Sequence, residues 1–305
     1  MITKPILAAS IIPDTAKITR PSYQGHFSDI VFPVICTEKV DGIRAFKSNG
    51  RLLSRKGLPI PNDHVRSIIE ATCPNGWDGE IIVPGKSFNE TQSAIMTVKG
   101  RPSFVWRVFD RVGPEPSVPY EIRLKQLEEE VFNNPNVYGT AEMIPYVYCH
   151  NVNDIVAFET KCLENGHEGI CGRSLASPYK PGRSTISEGY LWKMKRFLDS
   201  EATVIGFQPL LHNENEQVLD ELGFAKRSKS IAGLIEVAML GKLSVHHPVF
   251  GNFNIGSGFT LQQREEIWRN PTAYLNKTVT FKYQPYGMKE GGKPRAPIFK
   301  GFRLE

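Results

Sequence analysis

The chain has 305 residues, 40% of them hydrophobic and 23% charged, and a formal net charge of +5. That balance is ordinary for a globular protein and excludes a disordered polar chain. At about 150 residues per domain the length predicts two domains, with a single large α/β domain as the alternative. No apolar run approaches the roughly 18 residues a membrane helix needs, and Met1–Ala9 lacks the pattern of a signal peptide. The five cysteines (Cys36, Cys73, Cys149, Cys162, Cys171) are odd in number and contain no C-x-x-C pair. Neither a disulfide framework nor a four-Cys zinc site is therefore expected. A reducing, cytoplasmic setting fits, with the cysteines as small buried hydrophobes.

In chain order, residues 31–37, 44–46, 79–83 and 104–109 read as short strands, rich in β-branched and aromatic residues. Helical stretches alternate with them. Ser87 and Glu90 form a capping box ahead of TQSAIMTV. Pro119 to Phe132 carries Leu124, Leu127 and Val131 at helical spacing. A helix over 153–165 is bounded by Gly166. After Phe197 the pattern becomes mostly strand: 201–208, 233–240, 243–246 and 278–284. One helix interrupts them, Leu261 to Arg269, capped by Thr260 and Gln263. Five or so strands with one helix in this length predict a small OB-type barrel. The polar segment 212–230, with Lys226, Arg227 and Lys229, reads as an exposed loop or hairpin inserted in it. Lys277 to Arg303 holds seven Lys or Arg against one acid, Glu290, which marks a phosphate-binding face or a solvated basic tail.

Common nucleotide and hydrolase motifs are absent. Lys39-Val-Asp41-Gly42-Ile-Arg44 stands out between two predicted strands. A lysine at a strand end presents its amine to a cleft, glycine permits close approach, and a nearby arginine clamps a phosphate or sugar. A lysine nucleophile must be neutral, and neighbouring cations favour that form. A charged strand–turn–strand is the plainer reading of those six residues alone. Further pieces follow in order: Asp78-Gly79-Glu80, Phe109-Asp110, Glu168-Gly169-Ile170, and Trp192-Lys193-Met194-Lys195, with two lysines on one strand face. Arg295-Ala-Pro297-Ile-Phe299-Lys-Gly301-Phe-Arg303 closes the set.

This ordered set resembles the six collinear motifs of the covalent nucleotidyltransferases, the polynucleotide ligases and messenger-RNA capping enzymes. Resemblance is strongest to the small ATP-dependent DNA ligases encoded by viruses. It runs from ITKPILAAS through GRS (182–184), EGYLWKMKRF (188–197) and IGSGF (255–259) to the terminal arginine motif. It implies an α+β fold: an ATP-grasp-like nucleotidyltransferase (adenylation) domain of antiparallel sheets and helices at 1–197, then an OB-fold β-barrel at 198–305. It implies a DNA ligase that seals 3′-hydroxyl/5′-phosphate nicks in duplex DNA through lysyl-AMP on Lys39.

By position in the motifs, Thr37 (through its backbone) and Phe109 would hold the adenine and Glu80 the ribose. Lys193 and Lys195 would contact the α-phosphate and lower the pKa of Lys39. Glu168, with Asp41 or Glu80, would lie near Mg²⁺ or Mn²⁺. Arg295 would orient the β,γ-phosphates. Arg44, placed beside the nucleotide, would bind the nick phosphates with Arg55 and Arg183; Lys226 and Arg227 would add DNA contacts from the insertion. The resemblance further implies a monomer, replication or repair, a virus or phage source, and work in the host cytosol or nucleus. Two departures predict a weaker hold on DNA. The 212–230 insertion is shorter than the DNA-clasping hairpin of the viral enzymes, and only two residues follow Arg303. The alternatives are a capping guanylyltransferase, an RNA ligase, or a catalytically silent DNA-binding module. A NAD⁺-dependent ligase would need further domains and zinc cysteines.

Overall fold

The computed structural model describes residues 4–12, 22–285, 288 and 292–303. Ile2 and Thr3 of the expected N-terminal match, and Lys289 and Glu290 of the basic stretch, lie outside the described residues. Contacts divide the chain into two compact units: Met1–Lys195 with Leu219–Phe224, and Arg196–Val218 with Ala225–Glu305. No helix among the described residues is long and apolar enough to cross a membrane.

The first unit is built on two sheets. One has six strands in the order Tyr146–Cys149, Val34–Glu38, Gly169–Ser174, Trp192–Lys195, Ala9–Ile11 and Gln24–Gly25. The other has five, in the order Arg51–Ser54, Ile43–Ser48, Trp77–Ile82, Val105–Arg111 and Ala141–Met143. Period-2 patterning sets their faces: in Val105–Arg111 every second residue, including Trp106, Val108 and Asp110, is buried. Helices Asp63–Thr72 and Phe88–Met96 bury Val65, Ile69 and Ile95 in the core of the five-stranded sheet. Helix Val152–Glu164 covers the six-stranded sheet with Ile155 and Cys162. Helix Tyr120–Phe132 serves both sheets: Leu127 joins the first of these cores, while Tyr120 and Leu124 pack with Ile35 of the other sheet.

Most elements arise where the sequence pattern places them, and the Ser87–Glu90 capping box forms in full. The Asp63–Thr72 helix was missed although its start is local: the Asn62 side chain accepts from the Val65 N–H at 2.9 Å. The buried Lys47 ammonium donates to the Glu70 carbonyl at 2.6 Å and caps the negative end of that helix.

The second unit is a five-stranded antiparallel sheet in the order Gly251–Ile255, Leu234–His247, Leu198–Asn213, Thr278–Gln284 and Arg295–Phe302. Just beyond Gly251–Ile255, Ser257 bridges to Ile298 of the other edge strand, and no continuous ladder closes the sheet among the described residues. Val204, Leu243, Val245, Val279 and Phe281 fill the core, with Ile267 of helix Leu261–Arg269. The two short strands expected at 233–240 and 243–246 are one strand. Its partner carries Pro209, which has no N–H to give, so the ladder shifts register around Pro209 without ending. IGSGF and the terminal motif interlock: Phe259 stacks on Phe299 at 4.2 Å, and a side chain at Gly258 would meet the Phe299 carbonyl oxygen at 2.4 Å.

In the 212–230 insertion, expected as an exposed loop or hairpin, a hairpin forms, and only part of it is exposed. The long strands continue into a ribbon, and Gln217–Leu219 pairs with Ala225–Arg227 in a small hairpin. Its turn belongs by packing to the first unit. Leu222 is buried in that unit's core and its carbonyl accepts from Ser54 Oγ at 3.0 Å.

Candidate active site

A cavity of about 200 Å³ lies between the two sheets of the first unit. The six-stranded sheet gives it Thr37, Cys171, Arg173 and Lys193; the other gives Arg44, Glu80 and Phe109. Lys39 sits where the chain leaves one sheet for the other, its N–H donating to Gly169 O at 2.8 Å. The crossing is tight because Gly42 has no side chain: a Cβ there would lie 2.5 Å from the Ile81 carbonyl oxygen.

The Lys39 ammonium pairs with one oxygen of Glu168 and the Lys195 ammonium with the other. The Glu168 side chain is 1% exposed, the two lysines 17% and 25%. Burial alone would lower the pKa of Lys39, but Glu168, joined by Cys171 and Glu80, holds the amine above its ordinary value. The expected depression of Lys39 by its neighbours is thus not what the structure shows. The depressed amine is Lys193, through burial and then the adjacent Lys195 and Lys39. Lys193 and Lys195 project from one face of their strand, as i, i+2 spacing requires, with Trp192 and Met194 buried on the other.

On the opposite wall, Phe109 faces the cavity and the Arg44 guanidinium lies 4.4 Å from its ring centroid. Arg44 is tied to Asp78, Nε to Oδ1 at 2.6 Å and Nη2 to Oδ2 at 2.7 Å. Glu80 lies between this cavity and a second one of about 230 Å³, and its buried Oε2 makes no hydrogen bond among the described residues. Burial pushes the Glu80 carboxyl up to about 8 against the pull of Arg44 and Lys39. Arg55 reaches the same walls, its pKa lowered by burial and then by Arg183 and Arg44. Arg44, Arg55 and Arg183 are therefore electrostatic neighbours. Arg183 donates to the Ala8 carbonyl at 3.2 Å.

The structure thus brings together Thr37, Lys39, Arg44, Arg55, Glu80, Phe109 and Lys193 around one cavity, with Glu168 and Lys195 bonded to Lys39. Thr37 lies in a strand paired on both sides, with Tyr146 and Cys171, so its main chain is shared with the sheet. Glu168, Glu80 and Asp41 do not form a cation cage: no group of three acidic, His or Cys side chains among the described residues is placed to hold a metal. Arg295 belongs to the last strand of the second unit, and Lys226 and Arg227 to its exposed hairpin.

Sequence reasoning missed Arg173, Tyr120 and Cys171 on the cavity wall. The alternation of Gly169–Ser174 puts 171 and 173 on one face, and register pairs Cys171 with Lys193, so a strand-pairing argument would have found them. Cys171 is half-buried, unlike the other four cysteines. Beneath Phe109, the fully buried Asp110 accepts from Arg123 Nε at 2.9 Å and pairs with Arg173.

A family model described as the DNA ligase OB-like domain matches residues 237–303. The solved structure of Chlorella virus DNA ligase-adenylate covers 100% of this chain and 99% of its own, at 32% identity and a TM-score of 0.58. The chain belongs to the small ATP-dependent DNA ligases. A Lig E DNA ligase, described as binding DNA with a minimal scaffold, aligns with 99% of this ligase and 100% of its own chain, at 25% identity and TM-score 0.68. The DNA ligase of Haemophilus influenzae is 26% identical over 263 residues, 86% of this ligase and 83% of the relative.

Proposed function

We propose that this ligase seals nicks in duplex DNA in three phosphoryl transfers, with Lys39 as the covalent nucleophile. The observation that carries the reading is the Lys39–Glu168–Lys195 cluster at the wall of a cavity that also holds Phe109, Arg44 and Glu80. In the first transfer the Lys39 Nζ lone pair attacks the α-phosphorus of ATP. The bond to the bridging oxygen breaks, pyrophosphate leaves with the electron pair, and Nζ gives up its proton. In the second, an oxygen of the nick 5′-phosphate attacks the same phosphorus. The P–N bond breaks, and Lys39 recovers its electron pair and a proton. In the third, the 3′-hydroxyl oxygen attacks the 5′-phosphorus, AMP departs, and the backbone is whole.

Each transfer needs positioning and charge more than covalent help. Phe109 stacks the adenine, backed by the Arg44 guanidinium on its ring. The Glu80 Oε2 accepts from a ribose hydroxyl, which fits a buried oxygen without a hydrogen bond among the described residues. Lys193 and Lys195 meet the α-phosphate, and those anionic oxygens compete with Glu168 for the cations around Lys39. Arg295 orients the departing phosphates. Arg44, Arg55 and Arg183 receive the nick phosphate, and Lys226 and Arg227 add backbone contacts. Such contacts are indifferent to base sequence.

Glu168 is the carboxylate that would hold a hard cation, with substrate phosphates and water completing its shell, since no ligand triplet lies among the described residues. Bound Mg²⁺ or Mn²⁺ would supply charge neutralisation on the phosphates. The ligase works as a monomer on nicks left by replication or repair.

The test is labelling with α-³²P-ATP or α-³²P-GTP and a divalent cation, followed by denaturing electrophoresis and a nicked-duplex sealing assay. Label from ATP only, absent in Lys39→Ala, together with sealing, is the expected result. Label from GTP would move the reading to RNA capping. No label from either nucleotide, after treatment with pyrophosphate, would leave a DNA-binding module.

A further inference from the structure

Arg44 approaches the cavity only as well as its carboxylate partner is aimed. Asp78 is fully buried, and its two oxygens hold the guanidinium through Nε and Nη2. That fork leaves the Nη1 side of Arg44 directed away from Asp78, and Arg44 lines both cavities beside Arg55 and Glu80. A carboxylate gripping one arginine can still rotate about its own Cβ–Cγ bond and carry the guanidinium with it. A third group removes that freedom: the Tyr179 hydroxyl donates to Asp78 Oδ2 at 2.6 Å. Tyr179 is 1% exposed.

Tyr179 is itself well fixed. Its N–H donates to the Pro116 carbonyl at 2.7 Å, and two residues earlier the Ser177 carbonyl accepts from Arg123 at 2.9 Å. Four residues later the same segment carries Arg183, in register with Leu7. One hydroxyl therefore links the carboxylate that aims Arg44 to the segment that presents Arg183.

We infer that Tyr179 is a positioning residue for nick-phosphate recognition, setting the geometry of Arg44 through Asp78 and tying it to the Arg183 segment. This rests on the reading that Arg44, Arg55 and Arg183 receive the 5′-phosphate. Tyr179 touches neither nucleotide nor DNA in this scheme. Burial and the neighbouring Asp78 keep its phenol well above its ordinary pKa, so it remains a donor across the working pH range.

The test measures binding of the adenylated protein, in EDTA, to three duplexes: a 5′-phosphate nick, a 5′-hydroxyl nick and an intact strand. The ratio of the two nick Kd values reports phosphate recognition alone. Tyr179→Phe keeps the ring and removes the hydroxyl. It should lower that ratio about tenfold, the scale of a lost hydrogen bond to a charged group, while intact-duplex affinity stays level. In sealing assays the same variant should raise KM for nicked DNA more than it lowers kcat. Intact-duplex binding and lysyl-adenylate formation in Tyr179→Phe report that it is folded. Arg183→Ala and Arg55→Ala test the underlying reading in parallel. If they collapse the ratio and Tyr179→Phe does not, Tyr179 is structural and the inference is overturned. If the arginine variants leave the ratio intact, the phosphate reading fails and the inference falls with it. Equal losses in all three duplexes for Tyr179→Phe would also overturn it.

Discussion

Two carboxylates in the first unit each hold two cations, and they are put to opposite uses. Asp110 binds Arg123 and Arg173, with all three side chains 6% exposed or less. Glu168 binds Lys39 and Lys195, whose side chains are 17% and 25% exposed at the cavity. The stoichiometry and charge are the same. In both, partner cations overcome the burial penalty and hold the carboxyl below its usual range. The difference lies in the cations. Guanidinium keeps its proton throughout the working range, stacks on aromatic rings and stays where it is put. Arg173 does so over Tyr120, at 4.5 Å from the ring centroid. An ammonium can lose its proton and become a nucleophile. On the proposed function, the pocket has one permanent wall and one reactive wall, with Arg in the first and Lys in the second.

The comparison breaks first at Asp110. Asp110→Ala leaves two buried guanidinium groups without their carboxylate, which costs about 3–5 kcal/mol. A fall of roughly 6–20 °C in the melting of the first unit is expected by calorimetry. A loss within a degree would show that the arginines find water or other acceptors, and that the network is not a structural base.

Glu168 answers differently. Glu168→Gln removes the charge that raises Lys39, so the limb on which lysyl-adenylate formation rises with pH moves to lower pH. The sign follows from the proposed chemistry: if neutral Lys39 is the attacking form, a lower pKa supplies it sooner as pH rises. The rate at the plateau drops about a hundredfold, because the carboxylate also organises the charge around the transferred phosphate. Single-turnover labelling across a pH series separates the two effects. An unmoved limb would mean that another group sets the ionisation of Lys39.

The two clusters were not equally legible. Lys39, Glu168, Lys193 and Lys195 are separated by up to 156 residues, yet each sits in a short run whose local spacing is informative. Two lysines at i, i+2 on a strand beside buried Trp192 and Met194 already point at an anion. Asp110 carried a signal only as the neighbour of Phe109. Arg123 lies on a helix and Arg173 on a strand, so their convergence is a matter of tertiary packing that no local pattern encodes. Tyr179 is the same case: nothing around it in sequence predicts Asp78 as its partner. In the second unit the helix and its cap were readable. The unbroken strand through Leu234–His247 was not, because the Pro209 that disturbs its ladder stands on the other strand. The buried Leu222 was also hidden, since an apolar residue in a polar insertion is matched only by a core elsewhere in the chain.

The last expected effect concerns a third carboxylate, which makes no ion pair among the described residues and feels Arg44 and Lys39 only as weaker pulls against its burial. Glu80 is pushed up to about 8 from an ordinary value of 4.5, chiefly by desolvation. An acid whose pKa is higher folded than unfolded binds its proton better in the native state. Its contribution to stability is therefore full below about 4.5 and is lost as pH rises toward about 8. Glu80→Gln has no proton to lose, so its melting temperature should fall less between pH 5 and pH 8 than that of the parent. The same substitution should raise KM for ATP most above about pH 8, where the parent group is ionised and a neutral amide is a weaker acceptor for a ribose hydroxyl than a carboxylate in a dry site. The two readouts must move in opposite directions, stability gained at alkaline pH and nucleotide affinity lost. If both fall, Glu80 is a structural group held by Arg44 and Lys39. If stability alone changes, the unpartnered oxygen faces something other than the ribose. Opposite movement marks a carboxylate kept buried at a cost in stability because the nucleotide, rather than the fold, supplies its partner.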